Sequence, residues 1–212
     1  MKKYILIIVS IILLACFFLI LRSNEDWKTV LINENNPVPD NHKIKVVKLE
    51  NVEVDKRIVG PLKKLLKQGR KENIKLKLDE GYRSKELQQK QREENISRLM
   101  SEEGMTAEQA LIETNKYFAE VGKSEHQLGL AVDVVSEDFP YQEEAFADTD
   151  AGKWLADHGH EFGFIIRYPK DKVDITGKEY EPWHLRYVGK KVAKEIKDRG
   201  ICLEEFIECN KK

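Results

Sequence analysis

Two short clusters carry the residue types that perform hydrolytic chemistry. One is Ser124-Glu125-His126-Gln127-Leu128-Gly129-Leu130-Ala131-Val132-Asp133, and the other is Glu181-Pro182-Trp183-His184-Leu185-Arg186-Tyr187. Between them, His126, Asp133 and His184 offer two imidazoles and a carboxylate. Zinc accepts such a donor set and, in catalytic sites, keeps one position open for water. A metal-bound water can have its pKa lowered to about 7. Glu181 would stay off the metal as a base that takes the water proton and later passes it to a leaving amine. Five histidines are present, His42, His126, His158, His160 and His184, and spacing alone does not choose among them. Any one histidine taken alone reads more readily as an ordinary polar residue at a strand end. His158 and His160 lie two apart, which on a helix directs them to different sides. No His-Glu-x-x-His helix motif occurs.

The elements that must position these groups set conditions on the backbone. If Asp133 lies on a strand, Val132 and Val134 face away from it and pack. A regular strand would put Glu181 and His184 on opposite faces, yet both must face one ion. Pro182 cannot donate to a ladder and marks an edge or bulge. The sequence therefore predicts irregular backbone at Glu181-Pro182, and a regular central strand from Glu181 to Leu185 would count against the assignment.

Elsewhere the pattern is mixed. From Val54 a helical face runs through Ile58, Val59, Leu62, Leu65 and Leu66, with Asn73 as its stop. Ile74, Leu76 and Leu78 alternate with Lys75, Lys77 and Asp79, as in a half-buried strand. Ser84 caps a helix over about Lys85 to Met100. Gly104 breaks it, and Thr106-Ala107-Glu108-Gln109 fits a capping box for a helix to about Val121. A loop leads to a strand over Leu130 to Val135. Trp154, Leu155, His158 and Phe162 mark an amphipathic helix, Gly163 to Tyr168 a strand, and Lys170 to Lys178 a polar loop. A helix from about Lys190 to Arg199 ends at Gly200, and a short last helix holds Leu203 and Phe206. There is no internal repeat and no regular βαβ alternation. The expected fold is α+β, a small, mostly antiparallel sheet flanked by helices.

The chain has 212 residues and a net charge of -1 from 36 basic and 37 acidic residues. It shows no basic excess that would point to nucleic acid, and it lacks the composition of a disordered chain. Residues 1–22 begin Met1-Lys2-Lys3, continue as an apolar run from Tyr4 to Leu21 and close with Arg22. As a helix that run reaches about 27 Å, close to the hydrocarbon thickness. An uncleaved membrane anchor leads a cleaved signal peptide and a lipoprotein signal at Leu13-Leu14-Ala15-Cys16, because the apolar run continues past Cys16. All three place the rest outside the cytoplasmic membrane. The expected division is 1–22 anchor or signal, 23–50 stalk, and 51–212 catalytic domain. Cys202 and Cys209 would stand about 10 Å apart on a straight helix, too far for a disulfide, so one core thiol and one tail thiol are expected.

Several ordered motifs together resemble a known family. They are Gly81-Tyr82-Arg83-Ser84, Ser124-x-His126-x-x-Gly129-x-Ala131-x-Asp133, Gly163-Phe164 with Arg167-Tyr168-Pro169, Ile175-Thr176-Gly177, and Glu181 through Tyr187. Over about Val54 to Phe206 the chain is similar to VanY-type D-Ala-D-Ala carboxypeptidases and related L,D-carboxypeptidases. The wider group also holds lysostaphin-type enzymes and hedgehog domains. The resemblance implies a zinc peptidase that trims peptidoglycan stem peptides. It places the metal ligands at His126, Asp133 and His184, the base at Glu181 and the substrate-binding arginine at Arg83. A guanidinium suits a terminal carboxylate or a developing oxyanion. Ser124, Gln88 and Trp183 are candidates for holding the peptide, Gln88 about one turn past Ser84. Arg167 and Tyr168 read as structural.

Within this class, removal of terminal D-Ala leads an L,D-carboxypeptidase acting on tetrapeptide stems and a dipeptidase. The rival from another class is a non-catalytic wall-binding module that keeps zinc for structure. Glu181 argues against it, since a structural site needs no base. A further rival is an anchored partner protein without metal.

Overall fold

A computed structural model describes residues 27–210. Its strands are β1 Val46–Leu49, β2 Val52–Asp55, β3 Leu76–Glu80, β4 Ala131–Ser136, β5 Phe164–Tyr168 and β6 Glu181–Tyr187. β1 and β2 form a two-stranded antiparallel pair, and the other four form an antiparallel sheet in the order β3-β4-β6-β5. The helices are α1 Val59–Lys71, α2 Lys85–Glu102, α3 Ala107–Tyr117, α4 Glu125–Leu128, α5 Asp150–His158, α6 Val173–Thr176, α7 Lys190–Arg199 and α8 Leu203–Asn210. Leu31–Lys212 group as one compact unit. The fold is α+β, with a small antiparallel sheet flanked by helices.

Apolar periodicity explains most elements. α1 buries Leu62, Leu65 and Leu66, and β3 buries Leu76 and Leu78 while exposing Lys77. α7 buries Val192, Ala193 and Ile196, which pack with Ile165, Val188, Leu203 and Phe206. The polar signals act as read. Ser84 Oγ accepts the Leu87 amide at 3.2 Å. Thr106 and Gln109 form a reciprocal capping box. Cys202 is a buried free thiol and Cys209 an exposed one.

Four expectations need correction. The helix expected from Val54 begins only at Val59: Val54 is a buried strand residue paired with Val47. The Asp55 side chain then accepts the Arg57 amide at 2.8 Å and turns the chain through a 3-10 segment, Lys56–Ile58. The helix expected to reach Val121 stops at Tyr117, because Arg92 and Gln88 donate to the carbonyls of Phe118 and Ala119. The polar loop over Lys170 to Lys178 contains a 3-10 turn and α6. The fourth correction concerns the expected N-terminal membrane-spanning or signal helix. Among the described residues no helix is long and apolar enough to cross a membrane, and residues 1–22, with Cys16, lie outside them. The fold class is restated without a membrane element. The anchored location and the membrane as partner, which rest on that segment, have no membrane-spanning helix among the described residues to support them.

Candidate metal centre and catalytic cleft

The site forms where β4 and β6 lie side by side. Asp133 and His184 are direct cross-strand partners, which brings their side chains to one face within contact range. α4 supplies His126. Ser124 caps this single turn, its Oγ accepting the His126 amide at 3.3 Å. Gly129 closes it at φ 79° and turns the chain into β4, a conformation that favours glycine. Irregularity at the start of β6 is also present. Tyr168 pairs with Glu181 and Ile166 with Leu185, so the register shifts across Pro182–His184. That shift lets Glu181 reach His184: Glu181 Oε2 lies 3.2 Å from His184 Nδ1.

His126 Nε2 stands 3.4 Å from Asp133 Oδ2, and His184 Nδ1 stands 3.2 Å from Asp133 Oδ1. One donor atom from each of the three residues lies within 4.8 Å of the others. Tetrahedral zinc with bonds of 2.0–2.2 Å separates its ligands by about 3.4 Å, so the cluster has the right size. His126 Nδ1 lies 2.7 Å from the Gly81 carbonyl. A carbonyl only accepts, so Nδ1 carries the proton and Nε2 presents a lone pair to the cluster. Asp133 Oδ1 is buried without a hydrogen bond.

The electrostatics also call for a cation. Burial pushes the Asp133 carboxyl up, but the imidazoles beside it, His126 first and then His184, hold it well below the usual carboxylate range. Burial pushes His184 down, yet the carboxylates of Asp133, Glu125 and Glu181 around it hold its imidazolium well above its ordinary value. A divalent ion satisfies the same carboxylates without those protons, and the residues fit zinc.

The cluster floors a cleft of about 160 Å³ lined also by Arg83, Ser124, Tyr168, Lys178, Glu181 and Trp183. Arg83 Nε donates to Glu80 Oε1 at 2.9 Å, Nη1 donates to Gln88 Oε1 at 2.9 Å, and Nη2 pairs with Glu80 Oε2. Burial raises the Glu80 carboxyl, but the charge of His126 and the pairing with Arg83 lower it further. Gln88 is fully buried beneath Arg83 and donates to the Ala119 carbonyl at 2.6 Å. It is not among the residues lining the cleft; it holds Arg83. His158 bonds Glu161, apart from the cluster.

Several site groups were not singled out from the sequence. Tyr168, read as structural from the sequence, borders the cleft and packs against the His184 ring at 4.9 Å between centroids. Lys178 is buried in the cleft wall, where burial lowers its ammonium, and donates to the Asn115 carbonyl at 2.6 Å. Gln142 donates to Asp133 Oδ2 at 3.3 Å. Glu125 lies beside His184 at the edge of the cleft and accepts from Arg167 at 2.8 Å and Arg186 at 2.5 Å. A signal for Glu125 existed: arginines inside the apolar runs Phe164–Tyr168 and Trp183–Tyr187 require a buried acid partner.

Known proteins share this architecture. A D-alanyl-D-alanine carboxypeptidase of Enterococcus faecalis is 37% identical over 188 residues, spanning 88% of this chain and 68% of the relative. The D,D-pentapeptidase VanY of a VanB-type vancomycin-resistance cassette, solved with Zn(II), superposes with a TM-score of 0.78 at 36% identity, covering 85% of this chain and 99% of that one. VanYB solved with D-alanine-D-alanine gives 0.79 at 36% identity, covering 86% and 98%. With its His-Asp-His cluster, the chain is a zinc metallopeptidase. The pattern of the VanY group, described as D-alanyl-D-alanine carboxypeptidase, matches residues 51–190, and the protein belongs to that family.

Proposed function

We propose that the protein is a zinc-dependent carboxypeptidase that removes terminal D-Ala from peptidoglycan stem peptides, with residues 51–212 as its catalytic domain. The observation that carries the reading is the carboxylate of Glu181, 3.2 Å from His184 Nδ1 and beside a three-donor cluster.

His126, Asp133 and His184 are the residues that would hold zinc. When bound, zinc polarises a scissile carbonyl and makes a water acidic enough to attack near neutral pH. Glu181 takes the water proton and delivers it to the leaving amine. Arg83, clamped by Glu80 and Gln88, aims its remaining N–H groups into the cleft at the terminal carboxylate or developing oxyanion. Ser124 and Trp183 wall the substrate. Gln88 serves the substrate through Arg83. Burial of the whole set excludes bulk water and strengthens each of these interactions.

Digestion of defined penta- and tetrapeptide stems, with products weighed by mass spectrometry, tests the reading. D-Ala should leave the pentapeptide, stop leaving on chelation and leave again after zinc is restored. Loss from the tetrapeptide alone would reassign the protein to L,D-cleavage. Inertness of the zinc-loaded protein toward both would leave it a wall-binding module.

A further inference from the structure

Beside the metal cluster lies a second set of buried charges with no part in the steps above, and one of them, Glu125, also borders the cleft. Glu125 and Arg186 are fully buried, as is Arg167. Glu125 Oε1 accepts from Arg167 Nε at 2.8 Å and from Arg186 Nη1 at 2.5 Å. Arg167 is gripped from its far side by Glu204, Nη1 to Oε2 at 2.8 Å and Nη2 to Oε1 at 2.6 Å. Two arginines therefore fix the Glu125 carboxylate through one oxygen. They also hold it ionised: burial pushes its pKa up, but the arginine charges more than reverse this.

The other oxygen, Oε2, is buried with no hydrogen-bond partner, and so is His184 Nε2. The two orphans face each other at 3.9 Å, roughly 1 Å beyond ordinary hydrogen-bond range. Buried polar atoms are rarely left so, and a ring nitrogen opposite a metal-bound one usually donates to a carboxylate. We propose that Glu125 is a positioning residue for His184, its Oε2 accepting the Nε2 proton once Nδ1 holds zinc. That bond fixes the tautomer and the ring plane. The inference rests on the reading of His184 as a zinc ligand.

Zinc affinity of the full chain, measured by competition with a chromophoric chelator, tests it. Glu125→Gln should bind zinc about 10- to 100-fold more weakly and shift the visible spectrum of the cobalt-substituted protein. Glu204→Gln breaks the same arginine chain from its far end. It should lower the thermal midpoint while leaving zinc affinity and the cobalt spectrum as in the unmodified protein. Unchanged affinity in Glu125→Gln overturns the inference, and so does equal weakening in both variants, which would make Glu125 a structural acid only. Should Glu125→Gln not fold, nitrogen-15 spectra of the zinc-loaded unmodified protein decide: His184 must show a protonated Nε2, and a bare one overturns the proposal. Failure of the unmodified protein to bind zinc is a separate result that removes the metal reading and this inference together.

Discussion

Asp133, Glu181 and His184 stand on neighbouring strands, whereas Arg83 and Gln88 stand at the foot of a helix, and the two walls are held by different forces. Every residue of β4, and all of β6 but Tyr187, is buried, and the ladder sets the distance between Asp133 and His184. α2 buries only Gln88, Arg92 and Leu99 over eighteen residues. It is tied to α3 and the segment after it by polar contacts, Arg92 Nη2 to Asn115 at 2.8 Å and Asn95 to Thr114 at 3.0 Å. Leu87, Met100, Leu111 and Ile112 remain exposed on this wall. A wall with few buried apolar contacts opens at lower free energy than a buried ladder. The sheet wall thus suits chemistry that tolerates little displacement, and the helical wall suits a substrate that must enter and leave.

The sharpest way to break this comparison is at the sheet wall. His184→Ala should abolish both zinc binding and activity, measured by elemental analysis and peptide turnover; a variant that keeps both would dissolve the metal site. Glu181→Gln should keep zinc and lose about 10²- to 10⁴-fold in turnover. On the helical wall, Gln88→Ala leaves one Arg83 donor unpaired and should lower kcat/KM by roughly 3- to 10-fold, with zinc content unchanged. A loss as large as that of Glu181→Gln would erase the distinction between walls. Arg92→Ala should cost about 1–3 kcal/mol of stability in chemical denaturation and leave zinc affinity alone. Hydrogen exchange gives the finest comparison, with amides of α2 and α3 exchanging before those of β4 and β6.

The same division governs what could be read from the sequence. β3 is visible in the alternation of Leu76 and Leu78 with Lys77, and α2 and α3 in the caps at Ser84 and Thr106, because these signals are local. The bend at Glu181-Pro182 followed from demanding that two residues face one ion. Hidden were features set by distant partners. Val54 sits at helical spacing from Ile58, and only its pairing with Val47 makes it a strand. Gln88 has the right chemistry to touch a peptide, and only the folded chain sets its side chain against Arg83. Glu125 is one residue from a metal ligand, but its part depends on arginines from two other strands.

Gly81 ties the first hairpin to the metal. A Cβ placed there would lie 2.2 Å from the Glu53 carbonyl oxygen, so β2 rests on this turn with no room for a methyl group. The carbonyl of the same residue receives the proton of His126 Nδ1. Crowding at position 81 would therefore travel to the metal through a single peptide unit. The small N-terminal hairpin, which contributes no reactive group, helps choose the nitrogen that His126 offers to the ion.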